Sequence, residues 1–425
     1  MAKRSVIETM ATTLTTRRLA TAANPVLLMV SGGSDSTALA YAAKVLNAKG
    51  RLGPLAMLHV NHHIRGAAAD GDAAFVSLLA QALDIPLFMC DVDIPALTAH
   101  GENLEAVARS ERYTAARDAL ESLCAHTGTP VSDGRIATAH TQDDRVENFY
   151  MRSIVGTGPG GFRSMAYQTG QVIRPLLDVN RDDLRDFLKQ VDAAQAAIHD
   201  EAGNLWREDV TNACTDRFRA YVRHEIVPRA KERNAQLTDT LCRSMNLIAD
   251  EDDFLNRMAE DALTASRQWL SKHHDCASCP KADTCRRQNR LIDGFDPTRG
   301  ALLLPAFCEQ PPVIQRRMLK KTLQDILGPD ARVETASIQA ILDGIDTASE
   351  PAASGSSNAT ELGNANAAPS SLAAPSSSAA PAPHAAPKPR SGYTTNIQGN
   401  LAVSANKQGI RIEPMEDYRA RRKRA

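Results

Sequence analysis

PVLLMVSGGSDSTALA, residues 25–40, sets a short run of bulky apolar residues against a turn of glycine, serine and aspartate, and then a helix-forming stretch. The run Val26 to Val30 is too short for a helix and apolar throughout, which predicts a strand buried on both faces. Gly32 and Gly33 let the backbone approach a charged ligand without Cβ clashes. The loop N–H groups converge there, and the new helix presents its positive end. Hydroxyls of Ser31, Ser34 and Ser36 add donors to what reads as an anion site. Asp35 would repel a phosphate, so its sensible role is to hold a Mg²⁺ that bridges to one. A plain capped strand-to-helix turn needs fewer of these residues.

The same rhythm repeats on either side. Apolar runs at Leu55 to Val60, Leu87 to Val92 and Ile136 to Ala139 alternate with stretches of helical spacing. Those stretches are Thr37 to Leu46, Asp72 to Leu83, Asn103 to Leu123 and Asp143 to Ile154. Strand and helix in alternation predict an α/β fold, a parallel sheet covered on both faces, with ligands at the carboxyl ends of its strands. This anion-binding type of domain is expected over 1–180. Residues 181–345 read as mostly helical, with a further helix over Pro312 to Leu327. The Ala/Ser/Pro-rich stretch 346–390 is too poor in apolar residues to order itself and reads as a linker. Residues 391–425 then alternate like a hairpin around Asn406 to Gly409, with Leu401, Val403, Ile410 and Ile412 on its faces. Five basic residues between Arg419 and Arg424 form either a phosphate-contacting tail or a solvated end.

With 425 residues, 43% of them hydrophobic, the chain has enough apolar content for a core in at least one of its pieces. Lysine and arginine number 49 against 50 acids, so net charge is silent about nucleic acid. No apolar run is long enough to span a membrane and the beginning lacks a secretory core, so a cytoplasmic, reducing location is expected for the eight cysteines.

Further polar groups gather at the predicted strand ends. HVNHHIRG places His59, Asn61, His62, His63 and Arg65 after the second strand. Alternation scatters its histidines over two faces, which favours contact with adenine or ribose over metal. On the helix ENLEAVARSERY, Glu105 and Arg109 stand four apart. Arg109 and Arg112 are either partners in helix-stabilising pairs or clamps for phosphate or carboxylate. IATAHTQDDRVEN puts Asp143, Asp144 and Glu147 just past the fourth strand, on the same sheet edge as Asp35. There they complement the helix dipole, bind Mg²⁺ or hold a substrate ammonium. Gly156, Gly158 and Gly161 fit a dinucleotide-binding pattern, but they follow a helix and enclose Pro159, so that reading fails.

SGGSDS resembles the signature of the ATP pyrophosphatase, or PP-loop, superfamily. In order, SGGSDST, HVNHHIRG, NLEAVARSERY, IATAHTQDD, GTGPGGFRSM, IRPLL and WREDVTN resemble the blocks of the bacterial tRNA(Ile)-lysidine synthetase family, over roughly residues 25–230. The resemblance implies a ligase that uses ATP and Mg²⁺ to adenylate the wobble cytidine of a tRNA(Ile) with a CAU anticodon. Free L-lysine then displaces AMP. It also implies catalytic roles for Asp35, Arg109 and Asp143 and a nucleotide site at Ser31 to Ser36 with His59. Substrate contacts follow at Arg112, Asp144, Glu147, Trp206, Asp209 and Asn212, with Glu208 in the same block. Two positions depart from the family pattern: Val155 replaces an arginine, and Ala220 after Arg219 replaces an asparagine.

HHDCASCPKADTC adds Cys276, Cys279 and Cys285, spaced either for Zn²⁺ or an iron–sulfur cluster or as a plain surface loop. Metal there feeds an alternative reading, an ATP-dependent tRNA thiolase of the same superfamily. An RNA-binding scaffold with a dead nucleotide site is a third reading, opposed by the intact Asp35 and glycines.

Overall fold

β1 (Val26–Met29) is buried because nothing in it needs water: Val26, Leu27 and Leu28 are at most 1% exposed. It lies inside a six-stranded sheet with β2 (Leu55–Asn61), β3 (Leu87–Asp91), β4 (Arg135–Ala137), β5 (Gln168–Thr169) and β6 (Val172–Ile173), in the order β3-β2-β1-β4-β6-β5. All neighbours are parallel except the β5/β6 pair. The computed structural model describes residues 4–62, 66–98, 104–208, 217–270, 297–328, 331–346 and 387–424. These fall into two compact units, Met1–Asp252 and Asp253–Ala425.

Strand alternation divides the first unit into two cores. Val26, Leu28 and Val30 pack with Leu39 and Leu46 of helix Ser34–Ala48, and with Leu184 and Leu188 of helix Arg181–Ala193. The N-terminal helix Val6–Thr16 adds Met10 and Leu14 to the same face and is closed by a Ser5/Glu8 capping box. Leu27 points the other way, toward Leu120 and Leu123 of helix Leu104–Thr127 and Ile136 of β4. The chain leaves β1 toward β2 on one side, whereas β4 lies on the other. The carboxyl ends of β1 and β4 therefore flank the switch point where open parallel sheets bind ligands.

In the second unit the terminal strands do not stand apart. β7 (Arg267–Trp269) and β8 (Ala301–Leu303) come from the stretch read as mostly helical. After the short pair β9 (Ile345–Asp346) and β10 (Lys388–Pro389) come β11 (Thr394–Ile397), β12 (Leu401–Asn406) and β13 (Gly409–Pro414). One antiparallel sheet runs β11-β12-β13-β8-β7. Its apolar face meets helix Pro312–Leu327 through Leu303, Phe307, Met318, Leu323, Val403, Ile410 and Ile412. The basic tail is helical over Met415–Arg424, and Arg421 donates from Nε to the buried Glu413 at 3.0 Å. Residues 347–386 of the expected linker lie outside the described residues.

Ile412 is fully buried between β12 and β8. Ile412→Ala is expected to destabilise the second unit by about 2–5 kcal/mol, read as a lower urea midpoint for its unfolding. An unchanged midpoint would place β13 outside the core.

Candidate functional site

The turn after β1 is shaped by hydrogen bonds within it and to Arg207. Gly32 has φ +88°, a left-handed conformation suited to glycine, and its carbonyl accepts from the Arg207 N–H at 2.9 Å and from Thr37 Oγ1 at 3.2 Å. Gly33 is the N-cap of helix Ser34–Ala48 and supplies no capping side chain. The helix thus begins without the side-chain acceptor that usually satisfies its first amides, as an anion site requires. Ser36 is committed to the turn: its hydroxyl donates to the Gly33 carbonyl at 3.0 Å and accepts from the Ser31 N–H at 3.2 Å. Ser34 donates to Asp35 Oδ1 at 3.1 Å.

Asp35 faces the acidic turn after β4, and Arg181 joins the two. Its Nε lies 3.1 Å from Asp35 Oδ2, its Nη2 3.1 Å from Asp144 Oδ1 and its Nη1 3.5 Å from Glu147 Oε1. Its backbone N–H donates to Asp143 Oδ2 at 2.7 Å. One residue, at the first position of helix Arg181–Ala193 behind the N-cap Asn180, therefore touches all four carboxylates. Arg219 adds bonds of 2.8 Å to both Asp144 and Glu147, Arg223 grips Glu147 at 2.6 and 3.1 Å, and Lys231 Nζ lies 3.3 Å from Asp143 Oδ1. Asp144 also closes a capping box with Thr141, so it starts its own helix while binding two arginines.

These charges set one another's protonation. Burial pushes Asp35 up from the ordinary aspartate value, against the pull of Arg181. Burial also acts upward on Asp144, but Arg181, Arg219 and the Thr141 N–H outweigh it and hold the carboxyl below its usual range. Arg181 is raised: its acidic partners overcome burial. His140, at the end of β4, is pulled down to about 4 by burial, with Arg174, Arg219 and Arg109 opposing its charge and Asp144 favouring it.

The sequence-predicted residues thus separate. Asp35, Asp143, Asp144 and Glu147 converge through Arg181. His59 is buried, with Nδ1 2.9 Å from the Val30 carbonyl, so that nitrogen carries the proton and ties β2 to the end of β1. Arg112 donates to His62 Nε2 at 3.4 Å, and Arg109 stacks 5.0 Å from the Tyr113 ring centroid. Trp206 packs against the first core, with Arg185 over its ring. Asp209, Asn212, Cys276, Cys279, Cys285, His63 and Arg65 lie outside the described residues. Among the described residues no group of three His, Cys, Asp or Glu side chains is arranged to hold a metal ion.

Sequence reasoning missed Arg181, Arg207, Arg223 and Lys231. Arg207 is bonded to Gly32 and, through Nε and Nη1, to Asp72 at 3.0 Å and Asp200 at 3.1 Å, which lays the WRE segment over the glycine turn. A detectable signal existed for Arg181. Asn180 followed by Asp183 marks a helix start after β6, and such a start falls on the ligand edge of a parallel sheet.

Residues 4–230 match the PP-loop domain family, and the chain belongs to that family. It is 32% identical over 268 residues to the tRNA(Ile)-lysidine synthase of Geobacter sulfurreducens, covering 62% of this chain and 52% of that protein. The tRNA(Ile)-lysidine synthase of Thermus thermophilus is 32% identical over 313 residues, covering 73% and 51%. The chain therefore spans about half the length of these curated relatives. Among solved structures it is similar to the U34-tRNA thiolase NcsA from Methanococcus maripaludis with its [4Fe-4S] cluster, at 17% identity and a TM-score of 0.42, over 57% of this chain and 78% of that one. Among the described residues no helix is long and apolar enough to cross a membrane.

Two outcomes follow. Gly32→Ala places a Cβ 3.3 Å from Arg207 Cγ at a positive φ, and is expected to cost about 1–2 kcal/mol of first-unit stability in urea titrations. Because folding lowers His140 from 6.5 to about 4, the unfolded chain takes up the proton first as pH falls. The stability His140 contributes is fully present above about pH 6.5 and drains away toward pH 4. His62, also lowered to about 4, acts in the same direction, whereas the contribution of Asp144 is lost only below the carboxylate range. Urea midpoints taken from pH 7 to pH 4.5 are expected to fall less steeply in His140→Gln than in the native protein.

Proposed function

We propose that this chain ligates free L-lysine to position two of the wobble cytidine in a tRNA(Ile) with a CAU anticodon, forming lysidine with release of AMP and pyrophosphate. The observation that carries the reading is the bridge made by Arg181. It brings Asp35 of the glycine turn and the acids past β4 within reach of one guanidinium, which supports a reading in which a phosphate site and an ammonium site adjoin. The curated relatives that the chain matches over about half of their length are named tRNA(Ile)-lysidine synthase, which supports the reading.

The chemistry has two stages. The cytidine carbonyl oxygen attacks the α-phosphorus of ATP, forming an adenylate and breaking the bond to pyrophosphate. The ε-amine of lysine, having lost a proton, then attacks carbon two, and the carbon–oxygen bond breaks to expel AMP. The uncapped helix terminus at Gly33 to Asp35 suits the polyphosphate. Asp143 suits the lysine ammonium, held close to the carbon it attacks. In this reading Arg109 and Arg112, on the helix beside His62, contact the tRNA or the nucleotide. Trp206 supports the segment over the glycine turn.

Asp35 fits Mg²⁺. It offers hard oxygen donors beside the turn that, in this reading, receives the phosphates. When bound, Mg²⁺ neutralises the phosphate charge of ATP at Asp35.

Asp35→Ala is expected to lower turnover about 100-fold or more while leaving the circular dichroism spectrum unchanged. The assay is mass spectrometry of nucleosides from tRNA(Ile) incubated with the protein, ATP and labelled lysine. Label in a cytidine derivative supports the proposal. A thiolated nucleoside formed in a parallel reaction given ATP and sulfide, with no lysine adduct, would establish the thiolase reading, and near-native turnover of Asp35→Ala would remove the role given to that residue.

A further inference from the structure

The four carboxylates of the site are not equally available to an incoming ammonium. Glu147 is 2% exposed and held by three arginines, two of its bonds coming from Arg223 alone. Asp144 is locked between Arg181, Arg219 and its own capping box. Asp35 is held by Arg181 and Ser34. Planar, multiply bonded guanidinium contacts of this kind are slow to yield to a single point charge.

Asp143 differs. Its Oδ2 accepts the backbone N–H of Arg181, a bond fixed by the start of a helix. Among the described residues its Oδ1 meets only the ammonium of Lys231, at 3.3 Å, from helix Val227–Arg233. The Lys231 side chain is 38% exposed on a flexible four-carbon stem, so it can swing into water at small cost. Asp143 is thus the acid whose partner is exchangeable, and that partner carries the same group as the expected substrate, a primary ammonium on a tetramethylene chain.

We infer that Lys231 is an internal stand-in for substrate lysine: its ammonium occupies Asp143 Oδ1 in the free protein and must leave before the ε-ammonium of the substrate takes its place. This rests on the reading of Asp143 as the amine site. Lys231 then acts as a built-in competitor that sets the lysine concentration the enzyme needs and keeps Asp143 paired when no substrate is bound.

The test is steady-state lysidine formation with saturating ATP and tRNA, varying lysine, in Lys231→Met, Arg229→Met and Asp143→Asn. Arg229 lies on the same helix but pairs with Glu225, so its variant controls for the loss of one positive charge. Lys231→Met is expected to lower the KM for lysine about two- to fivefold, the range an exposed ion pair allows, with kcat within a factor of two. Arg229→Met is expected to leave it unchanged and Asp143→Asn to raise it. If Asp143→Asn raises the KM while Lys231→Met leaves it unchanged or raises it, the stand-in is overturned and the amine site survives. A fall of equal size in Arg229→Met assigns the effect to general charge and also overturns it. If Asp143→Asn leaves the KM unchanged, the amine site itself is misassigned and the inference falls with it.

Discussion

A single guanidinium holds the site in register. Four carboxylates gathered at one sheet edge would repel one another, and burial raises the cost of each unpaired charge. Arg181 answers the repulsion from the centre, with Arg219, Arg223 and Lys231 around it. Remove that balance and the carboxylates of the turn after β1 and the turn after β4 have no reason to converge. The sheet brings the two strand ends side by side; the ion network brings their side chains into one constellation.

The same economy shapes the glycine turn. Its carbonyl at Gly32 is held from below by Thr37 and from above by the backbone of Arg207, while the side chain of Arg207 is anchored on Asp72 and Asp200. The backbone of the turn is therefore fixed from both sides by bonds to its Gly32 carbonyl.

How much of this was legible in the sequence follows from distance along the chain. β1 to β4 were legible because each is a compact apolar run followed by helical spacing, and Asp35, Asp143, Asp144 and Glu147 because each sits just past such a run. β5 and β6, two residues each, and β7 and β8, three each, are too short to carry a period. The N-terminal helix went unread although Ser5 and Glu8 spell a capping box. Arg181 lies 146 residues from Asp35, and nothing local says that one arginine among many will fold onto that carboxylate. Arg207, Arg223 and Lys231 were hidden for the same reason. Pair partners belong to tertiary structure, whereas loop chemistry belongs to the neighbourhood of a strand.

The pairing of β13 with β8 carries its own lesson for expression of partial chains. A polypeptide halted before residue 387 would not simply lack an appendage. It would lose β11, β12 and β13 from their sheet, bare the backbone donors and acceptors of β8, and strip the apolar cover from helix Pro312–Leu327. Such an open flank templates association with neighbouring molecules, so early termination here is a route to insolubility rather than to a smaller working protein.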